Sequence, residues 1–433
     1  MRESVTSLEL YLENDRKEVV TTEKLQDVAC GMYPCYYRLT DDELRVSKSV
    51  FSLILDAGEY DRNTAYEVPQ FIQKFDQKDK QIFIEDFVSY LPQELTSRVP
   101  SSIVRLLRES TLLPNRYWDD QMETIARGIY RLQPFETILS DGTQNVDIAF
   151  DRSISSKEKF IELSCQYLTE FVQNIEKRFP EHEHIVLTGG RDSLLIHLVP
   201  KLTDNWSAFS AEPNLNNTLQ FFEDNGIDMN QVYTHSNTNR ETIGDTVKKL
   251  ICSDLRADPR HIRWRPKLAE ISKQYDRKCI FWSGTEGDTI NSYYSDFHDS
   301  EEHGYFDLQM MRAANWQGTT HQTTTNYTGA PMISIYHSPQ IWQDLYRRYD
   351  PEMIQKGDDL RDEIGEQLHG GSVVWPSNNP GPKPYRYERT FDPVQAYEQL
   401  INYCLTHESQ PRLPELDPSE LERFAANPSD SND

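Results

Sequence analysis

From His184 onward, segments of strand length and helix length alternate along the chain, and this alternation constrains the fold more than any other feature. Short apolar runs recur as HIVLT, WSAFS, QVYTH and KCIFWS. Helical patterns separate them: one starts at Asp192, one covers NLNNTLQFFEDNG, and one runs from Thr242 to about Leu255. Strands joined through helices pair in parallel, because each helix crosses back over the sheet. We therefore predict an α/β fold with a parallel sheet covered by helices on both faces.

The residues before this region predict further elements and a domain boundary. Residues 155–179 place apolar side chains at helical spacing with charges between them, which predicts a helix. In the first 150 residues, which we interpret as an α+β domain, CYYRL, TDDE and LRVSKSVFSLIL predict a hairpin that leads into a helix. The polar, turn-rich stretch near residues 140 to 155 predicts a boundary between domains over 1–150 and 151–395.

Composition excludes several classes of protein. A net charge of −25 would repel a nucleic-acid backbone, so we predict no nucleic-acid partner. No apolar run approaches the roughly 20 residues that a membrane helix needs, and no membrane partner is predicted. MRESVTSLELYLENDRKEVV has no basic stretch before an apolar core, which favours the cytoplasm. The six cysteines lack CxxC pairs, which is typical of buried thiols. The acidic, Pro- and Ser-rich residues 406–433 predict a disordered tail.

The turn after HIVLT carries the first candidate site, because ligands of open parallel sheets bind beyond the carboxyl ends of the strands. Gly189 and Gly190 allow a ligand to approach the backbone closely, and the helix that follows offers unpaired N–H groups. The Walker pattern and GxGxxG are both absent. Asp192 would hold Mg²⁺ beside a pyrophosphate, and the hydroxyls of Thr188 and Ser193 would bond to it. The alternative is a plain turn in which Asp192 and Ser193 cap the helix.

These residues resemble a known motif. LTGGRDS, residues 187–193, is similar to LSGGxDS, the pyrophosphate loop of the asparagine synthetase superfamily, which includes β-lactam synthetase and the lasso-peptide cyclases. SGTEGDTINSYY, residues 283–294, follows KCIFW and is similar to the superfamily's SGxGxDExxxGY. The resemblance implies that the C-terminal parallel-sheet domain is adenine-nucleotide α-hydrolase-like and binds ATP and Mg²⁺.

The resemblance also implies roles for individual residues. Asp192 and Asp288 would be the Mg²⁺ ligands, and Tyr294 would match the closing tyrosine, with Asp288 and Tyr294 in catalytic roles. The sequence departs from the pattern at Thr289, which replaces the acidic residue after the metal aspartate, and at Glu286, which replaces the second glycine of the loop. The predicted ATP- and pyrophosphate-binding residues are Leu187, Thr188, Gly189, Gly190, Asp192, Ser193, Ser210, Ser283 and Gly284.

The resemblance extends into the N-terminal half. YPCYYRLTDDELRVSKSVFSLI is similar to the glutaminase domain of the superfamily, and GIYRLQPFETIL is similar to its bridge into the synthetase domain. A glutaminase of this type needs a cysteine at the mature N-terminus, whose α-amino group acts as the base. Here Met1 is followed by Arg2, while Cys30 and Cys35 are internal. We predict a degenerate glutaminase-like domain that kept its shape and lost its hydrolase activity.

A cation near the adenylate completes the predicted site. In the superfamily a lysine after a segment resembling KxxLR neutralises charge that develops during acyl transfer. Here QKGDDLRDEIGEQL contains Lys356 and Arg361, and SNNPGPKPYRYE contains Lys383 and Arg386. Lys383 is the preferred catalytic candidate, and a solvated surface charge is the alternative for each of the four. His235, at the end of QVYTH, is predicted to pack and not to catalyse.

The resemblance implies an ATP-dependent ligase of asparagine synthetase type. Such an enzyme adenylates a carboxylate and transfers it to ammonia or an amine, forming an amide and releasing AMP and pyrophosphate. The substrates would be small-molecule or peptide carboxylates and amines, and a homodimer is one arrangement left open. Two other functions stay open: a non-catalytic binding or scaffold protein with a degenerate loop, and another pyrophosphate-loop enzyme that modifies a nucleobase.

Overall fold

The structure is a computed structural model of the chain. It describes residues 2–13, 18–40, 43–58, 124, 126–147, 153–235, 252–254, 264–287, 317–348 and 359–376. The predicted tail over 406–433 lies outside the described residues, as does all but 252–254 of the helix predicted from Thr242 to Leu255.

Strands and helices of the described residues are numbered here in chain order. Strands β1–β13 cover Val5–Thr6, Val20–Thr22, Lys24–Gln26, Tyr36–Leu39, Leu44–Ser47, Tyr130–Arg131, Glu136–Leu139, Gln144–Val146, Glu183–Thr188, Trp206–Ala211, Val232–His235, Cys279–Ser283 and Met332–Ser334. Helices α1–α8 cover Ser7–Glu13, Val50–Ala57, Lys157–Arg178, Arg191–Leu198, Leu215–Asp224, Arg265–Gln274, Gly318–Thr328 and Arg361–His369. A π-helix over Gln340–Tyr346 precedes α8.

The C-terminal half contains a five-stranded sheet in which every pair of neighbouring strands is parallel. Its order is β11-β10-β9-β12-β13. The chain thus adds strands on one side of β9, returns, and continues on the other side from β12. Connections leave a sheet toward opposite faces at such a switch point, which opens a crevice beyond the carboxyl ends of the two central strands. The predicted α/β fold with a parallel sheet is confirmed.

The strands predicted from the alternating pattern are all present, as β9, β10, β11 and β12. The helix predicted over 155–179 is α3, and Ser156 caps its start by accepting a hydrogen bond from the Lys159 N–H. The edge strand β13 was not predicted, because its three residues are too few to show a pattern.

Helices cover both faces of this sheet, as predicted. On one face α3 and α4 pack over Val186, Ile280 and Trp282. On the other face α6 contributes Leu268 and Ile271, which pack against further strand residues. Because both faces of the sheet are covered, all five residues of β12 and four of the six residues of β9 are buried.

The N-terminal half forms two four-stranded sheets, in the orders β2-β5-β4-β6 and β1-β3-β7-β8. The predicted hairpin is the antiparallel pair β4 and β5, and the predicted helix that follows it is α2. A buried carboxylate, Asp27, ties this half together by accepting hydrogen bonds from the Ser7 hydroxyl and the N–H groups of Gly31 and Phe135.

Both halves contribute to one hydrophobic core, in which Tyr11 and Tyr33 lie beside the end of the parallel sheet. The Tyr11 hydroxyl is 2.5 Å from the Thr325 hydroxyl and donates to the Met332 carbonyl at 2.9 Å. Tyr33 donates to the Ser334 carbonyl at 3.4 Å. These bonds join β13 and α7 to the N-terminal half. The domain bounds 1–150 and 151–395 stay a prediction.

Two expectations from composition can be compared with the described residues. Cys30, Cys35, Cys165, Cys252 and Cys279 are buried and free of disulfides, as predicted for structural thiols. Among the described helices, none combines the length and the apolar composition that crossing a membrane requires.

A buried histidine lies at the centre of the parallel sheet. The His184 ring, on β9, stacks on Trp206 at 4.7 Å, and its Nδ1 accepts a hydrogen bond from Trp282 Nε1 at 3.1 Å. Burial, with smaller contributions from neighbouring charges, lowers the pKa of His184 to about 4. The folded protein therefore holds this imidazole neutral at pH values where the unfolded chain protonates it.

We expect His184 to make the protein acid-sensitive. Between pH 6.5 and 4 the unfolded chain binds a proton that the folded chain does not, so stability falls as the pH falls through that window. His184→Gln keeps an acceptor for Trp282 and removes this proton. Relative to this variant, wild type should lose about 2 kcal/mol of unfolding free energy between pH 7 and pH 5. Urea unfolding at both pH values measures this, and a difference independent of pH would contradict it.

Candidate functional site

The loop between β9 and α4 lies at the switch point of the sheet. Its conformation is held by Ser193, whose hydroxyl accepts hydrogen bonds from the Gly189 N–H at 2.9 Å and the Gly190 N–H at 3.2 Å. The same hydroxyl donates to the Gly190 carbonyl at 2.9 Å. Ser193 thus closes the loop on itself, and helix α4 begins immediately after Gly190.

The second motif packs directly on this loop. A Cβ atom placed on Gly284 would lie 2.3 Å from the Ser193 backbone nitrogen, and one on Gly287 would lie 2.7 Å from Asp192 Oδ1. At Gly284 the atoms met are backbone, so glycine is required there. At Gly287 a methyl group would displace the side chains of Asp192 and Tyr336. The structure therefore brings together the two motifs that the sequence analysis singled out.

Glu286, which differs from the resembling motif, has the backbone conformation of a glycine. Glu286 stands where that pattern has its second glycine, and its φ of +68° lies in the left-handed region that favours glycine. The side chain is buried. The loop thus keeps the backbone conformation of a glycine although the residue is a glutamate, which costs about 1 kcal/mol of local strain.

Hydroxyl and imidazole groups line the interior side of the second loop. The Ser283 hydroxyl is hydrogen-bonded to the Thr285 hydroxyl and accepts from the Thr285 N–H at 3.0 Å. His321 Nε2, on α7, lies 3.2 Å from Thr285 Oγ1. The Ser334 hydroxyl donates to the Thr285 carbonyl at 2.8 Å. Ser283 and Gly284 therefore hold the loop in place at the end of β12.

Asp192 lies where the two loops meet. Its side chain is 22% exposed, and Oδ1 accepts a hydrogen bond from Arg361 Nη1 at 3.0 Å. Its carbonyl accepts from the Tyr336 hydroxyl at 3.1 Å. Burial would raise the pKa of the neighbouring Asp359, but two hydrogen bonds and the charge of Arg361 outweigh it and lower that pKa. Arg361 and the acidic groups around it thus form an ion-pair network over the start of α4.

The other hydroxyls predicted to bind ATP lie beneath the loop. Thr188 donates to the Phe209 carbonyl at 2.9 Å and is 3.2 Å from the Thr218 hydroxyl, which is 3.0 Å from Ser210. All three hydroxyl-bearing side chains are buried, and Leu187 packs in the sheet. In this structure Thr188, Ser210 and Leu187 support the loop, and their contact with ATP stays a prediction.

Sequence reasoning missed Asn214, which lies at the carboxyl end of β10 beside the first loop. Its Nδ2 would be 3.6 Å from a Cβ atom on Gly189. Its Oδ1 is buried and has no hydrogen-bond partner among the residues that the structure describes. Its place in the sequence could have indicated it, because Asn214 follows WSAFSA, the predicted strand that comes after HIVLT in the chain.

The chemistry of these groups fits Mg²⁺ and a phosphate. The Asp192 carboxylate and the Asn214 amide oxygen are hard oxygen ligands, which Mg²⁺ prefers. The first turn of α4 presents N–H groups that have no acceptor within the helix, and these favour an anion. Within the described ranges, no group of three or more His, Cys, Asp or Glu side chains is placed to hold a metal.

Several predicted site residues cannot be compared with the structure. Asp288, Tyr294 and Lys383 lie outside the described residues, as do Lys356 and Arg386. His235 is partly buried at the end of β11, and its packing role stays a prediction. No model of a known protein family matches the chain, and a search of curated proteins finds no similar sequence.

We expect Gly284→Ala to destabilise the protein by about 2 kcal/mol, because the added methyl group would overlap the Ser193 backbone. Gly371→Ala is the matched control, since a Cβ there meets no atom within 4 Å. Urea unfolding of both variants measures the difference. Equal stability of the two variants would show that the loops are not packed as described.

Proposed function

We propose that the chain is an ATP-dependent carboxylate–amine ligase of asparagine synthetase type. The observation that carries the proposal is the contact between the two motif loops at the switch point of the sheet, with the Asp192 carboxylate against Gly287. Asp288 is the next residue in the chain. Two carboxylates at this position would serve a metal–nucleotide complex, and the left-handed backbone at Glu286 fits the glycine of the resembling motif.

The first step would be transfer of AMP from ATP to a carboxylate, with release of pyrophosphate. The start of α4 would bind the phosphates through its N–H groups and the positive end of its dipole. Asp192 and Asp288 would hold Mg²⁺, which when bound offsets the charge of the leaving pyrophosphate. Gly284 and Gly287 keep side chains out of this region and hold the second loop against Asp192.

The second step would be attack of ammonia or an amine on the activated carboxylate, which forms the amide and releases AMP. Its rate would depend on placing the amine beside the acyl group. Lys383 would stabilise negative charge that develops on the acyl oxygen, and Tyr294 would lie at the end of the second motif. These roles of Lys383 and Tyr294 are those that the resemblance to the superfamily implies.

A non-catalytic nucleotide-binding or scaffold protein is the second candidate. One observation favours it: the groups that would bind a phosphate and a metal already have partners within the protein. The N–H groups of Gly189 and Gly190 donate to the Ser193 hydroxyl, and the Asp192 carboxylate accepts from Arg361. In such a protein ATP would bind without exchange of pyrophosphate. The third possibility, modification of a nucleobase, conflicts with the net charge of −25 if the base belongs to a nucleic acid.

The test of catalysis is exchange of labelled pyrophosphate into ATP, screened over aspartate, other amino acids and peptides. Asp192→Asn should lower the exchange by at least about 100-fold, since even residues that only support a metal ligand contribute 10- to 100-fold. Asp362→Asn is the control and should retain exchange, because the Asp362 side chain is 55% exposed and pairs with Arg191 at 3.5 Å. ATP binding without exchange for any carboxylate would favour the scaffold.

The amine should not come from glutamine hydrolysis in the N-terminal half. Cys30 and Cys35 are fully buried, and burial raises the pKa of both thiols well above the ordinary value. A buried, protonated thiol is a poor nucleophile. We expect no glutamate release from glutamine with ATP and Mg²⁺ present. Release that a Cys30→Ala, Cys35→Ala double variant abolishes would contradict this and identify an active internal cysteine.

A further inference from the structure

Arg361 binds two carboxylates at once, at the start of α8. Its Nε and Nη2 donate to the two oxygens of Asp359 at 2.7 and 2.6 Å, and its Nη1 donates to Asp192 at 3.0 Å. The side chains of Arg361 and Asp192 are 16% and 22% exposed. The two-point contact with Asp359 fixes the plane of the guanidinium, so Nη1 is held facing the carboxylate that is our proposed metal ligand.

This arrangement opposes binding of a free divalent cation at Asp192. The carboxylate charge is already balanced by the guanidinium, and a cation close to Asp192 would also lie close to Arg361. Partial burial strengthens both the attraction and the repulsion relative to bulk water. A cation that arrives with a triphosphate is different, because the phosphates carry enough negative charge to balance both the metal and the guanidinium.

We propose that Arg361 is a phosphate-binding residue of the ATP site and keeps Mg²⁺ from Asp192 until the nucleotide is present. This inference rests on the proposed function. With a metal–nucleotide complex bound, Asp192 would be a ligand of the metal and Nη1 of Arg361 would donate to a phosphate oxygen. The two hydrogen bonds from Arg361 to Asp359 would hold the guanidinium in place during this exchange. Arginine suits this role because its planar donors match phosphate oxygens.

A static ion pair is the alternative, in which Arg361 only attaches α8 to α4. A variant of a static pair would lose stability without any change in its affinity for cations or nucleotides. The two possibilities therefore differ in a binding measurement that does not depend on turnover.

The experiment uses the full chain as wild type, Arg361→Gln, Arg361→Lys and Lys157→Gln. Lys157→Gln is the matched control, because Lys157 also attaches a basic side chain to α8, where it pairs with Glu363 at 2.7 Å. Titration with Mn²⁺ alone, followed by its electron paramagnetic resonance signal, measures cation binding. Calorimetry with ATP and Mg²⁺, without a carboxylate substrate, measures nucleotide binding, and thermal unfolding confirms that each protein is folded.

Arg361→Gln should bind Mn²⁺ alone at least about tenfold more tightly than wild type and bind ATP with Mg²⁺ at least about tenfold more weakly, the effect of one charge-assisted hydrogen bond. Arg361→Lys keeps the positive charge, so it should still exclude Mn²⁺ while losing several-fold in ATP affinity. Lys157→Gln should match wild type in both titrations.

Three results would overturn the inference. If wild type binds ATP with Mg²⁺ and Arg361→Gln matches it in both titrations, the inference is wrong and the proposed function stands. If Arg361→Gln does not fold, the test is the ATP affinity of Arg361→Lys. An affinity equal to that of wild type overturns the inference. If wild type binds no ATP with Mg²⁺, both the inference and the proposed function are wrong.

Discussion

The contact between the second loop and the first turn of α4 is the constraint on which the rest of the site depends. Strands β9 and β12 are paired so that Ser283 lies opposite Leu187, and both loops therefore leave the sheet at the same level. The loops can then touch only if one of them carries no side chain at the contact, and Gly284 meets that condition. This close approach places Asp192 against Gly287, one residue before Asp288.

Charge joins the helices around this contact. Arg361 connects α8 to Asp192. Arg191 lies between the loop glycines and Asp192 in the chain, and its Nη1 is 3.7 Å from the Asp359 carboxylate and 3.5 Å from the Asp362 carboxylate. The segment after α8 is also fixed, because Asn225 exchanges two hydrogen bonds with the Val374 backbone and Trp375 stacks on Phe221. The Trp375 ring also lies 5.8 Å from the Arg191 guanidinium, so this segment is held near the start of α4.

The N-terminal half supports the site from the other side. Helix α7 is polar yet buried, and Thr323, Thr324 and Thr328 satisfy their hydroxyls by donating to carbonyls four residues earlier in the helix. Tyr11 bonds to this helix and to β13, and His321 of the same helix contacts the second loop. The N-terminal half therefore connects to the second loop through α7.

The sequence by itself determined strands β9 to β12 and the positions of the two motifs after β9 and β12, because hydrophobic periodicity and glycine-rich turns are local features of neighbouring residues. It did not predict β13, which is three residues long. Nor did it predict the pairing of Arg361 with Asp192, the position of Asn214, or the bonds of Tyr11 across the two halves. Only the tertiary structure decided these contacts, because they join residues far apart in the chain, and the order of strands in the sheet determines which distant loops meet.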